Sequence, residues 1–491
     1  MEIFLSSVLG ELATRSMGLF ISKYSQQPVQ AMEISLERIL LRAQVIVDEA
    51  EGRRITNQGM LRQLGMLRDA MYQGFYVLDT LRYRDFKEED AGDNKVESHF
   101  WALSKLSSAK RLCLSSSSTK ASQHLEVANV LDRLRNMIID VSESVVFLTS
   151  YPRMHSQPYS KHLLMETCMF GRQMEMERVL YFLLHTPPCS SRLDRFDVLP
   201  IVGPVRGGKS TLVAHVCNDE RVRDHFSQIV FYRHGTFRDE DMVILTDRCT
   251  MGHAQTRKLL IVFEVVGKLN DNLWKRLYSL CKSCTTSGSK IIITSRSDKI
   301  AKLGTTQTIT LKHLPLEAYW YFFKVITFGS TDPEIHPKLT YLAMEISKML
   351  NGCLVGANII ARVLQTNFSI QYWCKILEFV RGEVEKYVSM FVEHPCDLLD
   401  GTKHAYIRRL GRTGEDVYIS GLSQTCSSQE ELPEITVQNL LCGGVKPPYL
   451  GRTFKVLAWK SMLPPYHCYI LTCEIQRLQT RVGKKRGSLN N

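Results

Sequence analysis

The sequence predicts a multidomain protein: an N-terminal α-helical bundle, an α/β domain with a parallel sheet, a small α-helical subdomain and a short β-rich C-terminal region. Apolar residues recur at helical, nearly heptad spacing through residues 1–150. In residues 167–330, apolar β-type runs alternate with helical stretches, which is typical of a parallel sheet covered on both faces. Residues 396–491 contain proline pairs and two short β-type runs, Thr453–Trp459 and Tyr469–Ile475. At 491 residues, the chain is long enough for about three domains.

The composition is that of a folded protein with a basic net charge. The chain has 62 Lys and Arg against 50 Asp and Glu, a net charge of +12. This charge suits anionic partners such as nucleotide phosphates, acidic proteins, nucleic acid or a membrane surface, without choosing among them. The 14 cysteines are scattered among apolar residues, which predicts reduced thiols in an intracellular protein. We expect neither a secretory signal nor a membrane span, because no basic n-region and no run of about eighteen apolar residues occurs.

The bundle prediction for residues 1–150 rests on apolar seams. A short first helix is expected over residues 2–22, and three longer seams follow: Leu36, Ile39, Ala43, Ile46 and Ala50; Met60, Leu64, Leu67, Met71, Phe75, Leu78 and Leu81; and Leu131, Leu134, Ile138, Val141, Val145 and Leu148. Such seams bury against each other, which favours a coiled-coil-type four-helix bundle; the alternative is a helix surface that binds a partner. The polar residues 151–166 are predicted to be a linker.

A phosphate-binding motif follows an apolar strand over residues 198–202. The residues Gly203 to Thr211, GPVRGGKST, match the P-loop pattern G-x-x-x-x-G-K-[ST]. Glycines at this spacing let backbone N–H groups converge on phosphate, and a helix that opens there directs its positive end at the anion. The lysine reaches the β- and γ-phosphates and the serine hydroxyl can ligate Mg²⁺. The candidate nucleotide-binding residues are Gly203, Gly207, Gly208, Lys209, Ser210 and Thr211, with Ser210 also the candidate metal ligand.

Three further strands are predicted, at Ile229–Tyr232, Leu259–Phe263 and Lys290–Thr294. In a sheet of this kind the ligand binds at the carboxyl ends of the strands, where Lys209 lies. The last strand is followed by Arg296, whose cation could sense a γ-phosphate; the alternative is a surface arginine with an ion partner.

The strand LLIVFE, which ends at Glu264, is the candidate Walker B strand, and it departs from the usual pattern. P-loop NTPases hold Mg²⁺ with an aspartate where this chain has Phe263, and the acid comes one residue late. Neighbouring residues of a strand face opposite ways, so Glu264 cannot simply replace that aspartate. Either the register slips at the strand end, or metal binding is weakened and hydrolysis is slow or absent; we favour the second. Glu264 is the candidate catalytic residue.

The order of the motifs resembles that of the NB-ARC domain in plant disease-resistance proteins of the coiled-coil class. The residues that carry this resemblance are Met169-Phe170-Gly171-Arg172, then GPVRGGKST, LLIVFEV, GSKIIITSR and finally LKHLPLEAYWYFF, which spans Leu311 to Phe323. The stretch Met66–Tyr83 is similar to the acidic helix of the coiled-coil domain, although of its acids only Asp79 is retained. The resemblance covers about residues 1–390.

The resemblance implies further assignments. Met169, Phe170, Gly171 and Arg172 would line the base. Residues 331–395 would form a helical ARC1-like subdomain, with helices predicted at Leu339–Leu350, Leu354–Leu364 and Tyr372–Val388. Leu354 stands where the family has a proline near the base, so the fixed turn would be lost. The chain shows neither a Met-His-Asp motif nor leucine-rich repeats. Residues 396–491 have no functional interpretation from the sequence.

These implications define a functional hypothesis. We expect an ADP- and ATP-binding switch in plant innate immune signalling, located in the cytoplasm or the nucleus, with weakened Mg²⁺ binding. Its partners would be an adenine nucleotide and proteins bound through the N-terminal helices, including other NB-ARC proteins, rather than nucleic acid. The alternatives are an active P-loop ATPase or phosphotransferase, and a scaffold or decoy with a vestigial nucleotide site. The pathogen recognised and the oligomeric state are not predicted.

Overall fold

The computed structural model describes residues 29–83, 86, 120–153, 169–185, 197–204, 207–232, 258–265, 271–284, 288–391, 405–409, 415–426, 432–442, 452–461, 463 and 466–477. They form two compact units, each described here by itself. The described residues between Met1 and Leu164, together with Phe170–Glu177 and Leu314–Met344, make up the helical unit. The sheet unit contains the described residues of Met165–Met169, Arg178–His313 and Glu345–Asn491.

The elements follow one another along the chain in the order of the sequence motifs. The helices are α1 (Val29–Glu51), α2 (Gln58–Arg82), α3 (Lys120–Leu148), α4 (Gln173–Leu184), α5 (Lys209–Cys217), α6 (Glu220–His225), α7 (Asp271–Cys284), α8 (Leu316–Phe328), α9 (Pro337–Met349), α10 (Leu354–Gln365), α11 (Ile370–Phe391) and α12 (Val437–Leu441). The strands are β1 (Asp197–Val202), β2 (Gln228–Tyr232), β3 (Leu259–Val265), β4 (Lys290–Ser295), β5 (Ile309–Thr310), β6 (Ala405–Arg408), β7 (Glu415–Cys426), β8 (Phe454–Lys460) and β9 (His467–Arg477).

The helical unit is built on α1, α2 and α3, which coincide with the three long apolar seams. Each seam supplies fully buried residues, for example Leu36, Leu67 and Leu134. Close packing in the middle depends on Gly74, because a Cβ at this position would lie 2.6 Å from Cδ2 of Leu40. The helical region predicted for the N-terminus is therefore confirmed, whereas the first helix predicted over residues 2–22 lies outside the described residues.

The start of the predicted linker is attached to the helical unit. The backbone N–H of Arg54 donates to the carbonyl of Pro152 over 3.0 Å. The guanidinium of Arg53 donates to the carbonyl of Tyr151 over 2.8 Å. Residues 154–166 of this segment lie outside the described residues, and the domain limits stay predictions.

The sheet unit contains a five-stranded parallel sheet in the order β2-β3-β4-β1-β5. All six residues of β4 and the first five residues of β3 are buried, as expected for strands covered on both faces. One face packs against Trp274, Leu277 and Cys281 of α7. The predicted α/β domain is thus confirmed, with strand limits within two residues of those expected.

The residues after the parallel sheet are first helical and then antiparallel. Helices α9 and α10 begin and end within two residues of the predicted helices Leu339–Leu350 and Leu354–Leu364. Helix α11 extends beyond the predicted Tyr372–Val388 at both ends. A four-stranded antiparallel sheet in the order β6-β7-β9-β8 follows and confirms the β-rich C-terminal region. The sequence predicted β8 and β9 but not β6 and β7. In the part of the chain that the structure describes, no helix is both long and apolar enough to cross a membrane.

Candidate functional site

The P-loop follows β1 at the point where the chain connections of the sheet change direction. From β1 the chain crosses to β2 at one edge, whereas from β4 it returns past β1 to β5 at the other edge. Open parallel sheets bind ligands at such a switch point, outside the carboxyl ends of the strands. The N–H of Gly203 donates to the carbonyl of Ser295 over 3.2 Å, which joins the end of β1 to the end of β4.

Three glycines determine the path of the loop. A Cβ on Gly203 would lie 2.9 Å from the carbonyl oxygen of Leu311, and a Cβ on Gly207 would lie 3.1 Å from that of Pro204. Gly208 has φ of +86°, in the left-handed region, and is the N-cap of α5. Glycine is the residue type that adopts this backbone without strain. The glycines therefore hold the loop in a shape that larger residues would not permit.

Lys209 begins α5 and turns its ammonium group towards the loop. Its Nζ donates to the carbonyls of Gly203 at 2.9 Å and Pro204 at 2.7 Å. The N-cap of α5 is Gly208, which has no side chain to accept the first amides, and these amides have no acceptor within the helix. Ser210 and Thr211, which complete the motif, are half-buried in the first turn. The lysine and these amides thus form a compact group of donors suited to an anion.

The end of β3 separates Phe263 from Glu264. Phe263 is 3% exposed and packs on Tyr232, with ring centroids 5.3 Å apart, and on Trp274 of α7 at 6.4 Å. β3 pairs with β4 without interruption as far as Val265, so its register does not slip. By strand alternation Glu264 therefore lies on the opposite face, in register with Thr294.

Arg296 directly follows β4 and is exposed. The residue before it, Ser295, accepts the N–H of Gly203 through its carbonyl. The structure therefore brings the backbone of Arg296 to the edge where the P-loop begins. Its role as a sensor of the third phosphate stays a prediction.

Of the four residues predicted to line the base, Met169 belongs to the sheet unit, and Phe170, Gly171 and Arg172 belong to the helical unit. The ring of Phe170 packs between Tyr72, at 5.3 Å, and Phe322, at 5.4 Å. Gly171 has φ of +68°, and the buried Arg172 donates to Oε1 of Glu175 at 3.3 Å. These contacts give the segment a packing role within its unit, and its contact with a base stays a prediction.

The turn before α10 does not need a proline. Asn351 and Gly352 both have positive φ, of 47° and 75°. The Sγ of Cys353 then accepts the N–H of Gly356 at 3.3 Å and caps α10, whose first residue is Leu354. The sequence predicted that the turn would be lost without proline. Two residues with left-handed backbone and the Cys353 cap form this turn instead.

The residues present fit a phosphate better than a metal ion. The loop supplies the ammonium group of Lys209 and the N-terminal amides of α5. For Mg²⁺ the loop offers the hydroxyl of Ser210, but the usual carboxylate position is the apolar Phe263. Among the described residues, no group of three or more His, Cys, Asp or Glu side chains is arranged to hold a metal ion.

Leu311 and Met169 also lie beside the loop. Leu311 packs its Cβ and carbonyl against Gly203 and donates its N–H to the carbonyl of Val202 at 2.7 Å. The methyl group of Met169 lies 3.7 Å from where a Cβ of Gly208 would stand. Met169 opens the first motif of the resemblance and was predicted to line the base. Leu311 opens the last motif but was not a candidate binding residue.

Comparison with known proteins finds similarity to plant disease resistance proteins. Disease resistance protein RGA2 of Solanum bulbocastanum is 27% identical over 222 residues, which are 41% of this chain and 22% of that protein. Putative disease resistance protein RGA1 of the same plant is 25% identical over 230 residues, 43% of this chain and 23% of that protein. Putative disease resistance RPP13-like protein 1 of Arabidopsis thaliana is 22% identical over 374 residues, 70% of this chain and 34% of that protein.

The alignments cover only part of each protein. No protein-family model matches the chain. The chain covers only 22–34% of the length of the relatives named above. The ordered motifs and the observed fold agree with the alignments: the chain is a homologue of plant disease resistance proteins.

Proposed function

We propose that the chain is an adenine-nucleotide-binding switch in plant defence signalling. The observation that carries this proposal is the P-loop on β1, whose glycine geometry and lysine lie at the switch point of a parallel sheet. The defence role is supported by the names of its relatives, which are disease resistance proteins. The cytoplasmic location stays a prediction, which imaging of a tagged chain would check.

Different residues at the loop bind different parts of a di- or triphosphate. Lys209 exchanges its two carbonyl acceptors for phosphate oxygens, and the amides of α5 complete the cradle. Arg296 responds to the third phosphate. Because a ligand shifts a conformational equilibrium only through different affinities for the two states, such a residue is needed to distinguish ATP from ADP.

We expect binding without efficient turnover. Mg²⁺ usually stabilises the charge that develops during phosphoryl transfer, and its carboxylate ligand is missing here because Phe263 lies in the core. Glu264 remains as the carboxylate at this strand end, so an ATPase is the second candidate function. A Glu264→Gln variant tests it: loss of measurable hydrolysis would favour the enzyme.

Titration with a fluorescent ADP analogue tests the proposal on the purified chain. Lys209→Ala should lose most of the affinity, whereas Lys302→Ala, which removes an exposed lysine of the same unit, should bind as the wild type does. ADP binding without phosphate release from added ATP supports the switch. ADP binding with phosphate release from added ATP supports the ATPase, and no binding by the wild type leaves a scaffold with a vestigial site.

A further inference from the structure

A buried carboxylate joins two helices that are far apart in the sequence. Asp79 of α2 is 4% exposed. Its Oδ2 accepts hydrogen bonds from Nε1 of Trp320 at 2.7 Å and from Nζ of Lys324 at 2.6 Å, both on α8. Charge-assisted bonds of this kind are strong and directional. The α2–α8 contact therefore contains a specific polar lock, which we call the Asp79 lock (Asp79, Trp320 and Lys324).

Aromatic rings surround the Asp79 lock. Tyr321 of α8 packs on Tyr72 at 4.8 Å and on Phe75 at 5.4 Å, both on α2. The ammonium of Lys324 also lies over the ring of Phe75, 5.4 Å from its centroid. Breaking the lock would leave a charge in these surroundings without its partner, which is strongly unfavourable. Helices α2 and α8 are therefore expected to move together rather than to separate.

The segment that leads into α8 begins at Leu311, which packs against the P-loop. Leu311 follows β5, donates its N–H to the carbonyl of Val202 and covers the first glycine of the loop, Gly203. Helix α8 begins five residues later, at Leu316. A displacement of the loop therefore acts on a short connecting segment that leads directly to α8.

We propose that α8 is the element that transmits the state of the nucleotide site to the N-terminal bundle, and that the Asp79 lock is its point of attachment. A shift of the P-loop moves Leu311, the connecting segment carries the shift to α8, and the lock passes it to α2. The inference rests on the proposed nucleotide binding. The Asp79 lock and Leu311 are the residues that couple that binding to the bundle.

Hydrogen exchange on the full chain, with and without saturating ADP, tests the coupling. In the wild type, ADP should slow exchange in peptides from the P-loop and also in α2. In Lys324→Met, the effect at the P-loop should remain and the effect in α2 should be lost. Lys375→Met, which removes an exposed lysine of α11, should keep the wild-type pattern in both regions.

The outcomes separate the coupling from the proposed function. If ADP slows exchange at the P-loop but not in α2 of the wild type, the coupling is wrong and the nucleotide site stands. If ADP changes neither region, nucleotide binding itself is contradicted and the coupling falls with it. Should Lys324→Met fail to fold, Trp320→Phe keeps an aromatic ring but removes the indole N–H that donates to Asp79; unchanged transmission to α2 in that variant would overturn the role of the lock.

Discussion

At the scale of single residues, the loop after β1 depends on glycines for two different reasons. Gly203 and Gly207 are confined by neighbouring atoms, since a Cβ would come within about 3 Å of a carbonyl oxygen. Gly208 has space, with its nearest neighbour 3.7 Å from the position of a Cβ, but its φ is +86°. Substitution by alanine is therefore expected to cause clashes at Gly203 and Gly207, and backbone strain at Gly208.

Gly208→Ala should lower the free energy of unfolding by about 1–2 kcal/mol, the strain of a left-handed backbone in an L-residue, and should weaken ADP binding. Gly65→Ala is the matched control, because Gly65 lies in α2 and a Cβ there would meet nothing within 4 Å. Removing a glycine from a helix interior should instead stabilise by roughly 0.5–1 kcal/mol. Urea unfolding of both variants checks this, and equal effects of the two substitutions would contradict it.

Phe263→Asp would restore the carboxylate of the usual motif, but we expect it to destabilise the chain. The new charge would stand among Tyr232 and Trp274, so the loss should be at least about 3 kcal/mol from the missing ring alone. Phe263→Leu, which keeps an apolar side chain, should lose less than about 1.5 kcal/mol. Chemical denaturation gives both values; an aspartate variant as stable as the wild type would show that the site accepts a metal ligand.

At the scale of elements, buried carboxylates stand where helices meet other elements. Asp79 links α2 to α8 and has two donors. Glu383 of α11 faces Asp416 of β7, Arg408 of β6 and Lys386 of its own helix. Its Oε2 is buried and makes no hydrogen bond. The first carboxylate has two donors within 2.7 Å, whereas Oε2 of the second lies 3.9 Å from the ammonium group of Lys386 and Asp416 adds a second negative charge. Removal of the charge is therefore expected to have opposite effects at the two positions.

Asp79→Asn and Lys324→Met should each destabilise the helical unit by about 3–5 kcal/mol, because each leaves the other charge buried without its partner. The double variant removes both charges and should lose less than the sum, with an interaction energy of about 1–3 kcal/mol. A double-mutant cycle by urea unfolding measures it. Strict additivity would mean that the two side chains do not interact energetically.

Glu383→Gln should stabilise the chain at neutral pH. Desolvation raises the pKa of Glu383 above 4.5, while Lys386 acts against this effect. Between 4.5 and the raised pKa, the folded state holds a proton that the unfolded state has released, so stability falls as the pH rises through this window. The glutamine variant should lack that fall. Glu378→Gln, on the exposed side of α11, should follow the wild type in unfolding measured from pH 4 to 7.

At the scale of the whole molecule, the candidate residues named from the sequence are distributed over the helical unit and the sheet unit. The P-loop, Glu264 and Arg296 belong to the sheet unit, whereas Phe170–Arg172 belong to the helical unit. Single-domain two-state unfolding is therefore not expected. Ligand effects have to be followed with probes in each unit.

ADP at a concentration about 100 times its Kd should stabilise the wild type by about 2.7 kcal/mol if it binds only the folded sheet unit. The shift should be absent in Lys209→Ala. Thermal unfolding followed by tryptophan fluorescence, with Trp274 in the sheet unit and Trp320 in the helical unit, reports it. A shift that persists without the lysine ammonium would place ADP elsewhere on the chain.

Much of this architecture followed from sequence periodicity, and the exceptions have physical causes. Helices α1 to α3 and strands β1, β3 and β4 were predictable because their buried residues recur at the period of the element. Strands β6 and β7 were missed because β7 is interrupted by Gly421 and its serines, which weakens the alternation. The P-loop was predictable from spacing alone. The contact of Asp79 with α8 was not, because it joins residues about 240 positions apart.

Lys290, the first residue of β4, has a buried side-chain amine that is hydrogen-bonded to backbone carbonyls. It is 1% exposed and donates to the carbonyls of Phe182 and His185 at the end of α4, and burial lowers its pKa. Reagents that acylate lysines need an accessible amine, so they should spare this position while the surface lysines around it react. Acylation at Lys290 would therefore occur only in molecules in which the sheet has opened. The rate of this acylation would measure how often the sheet opens.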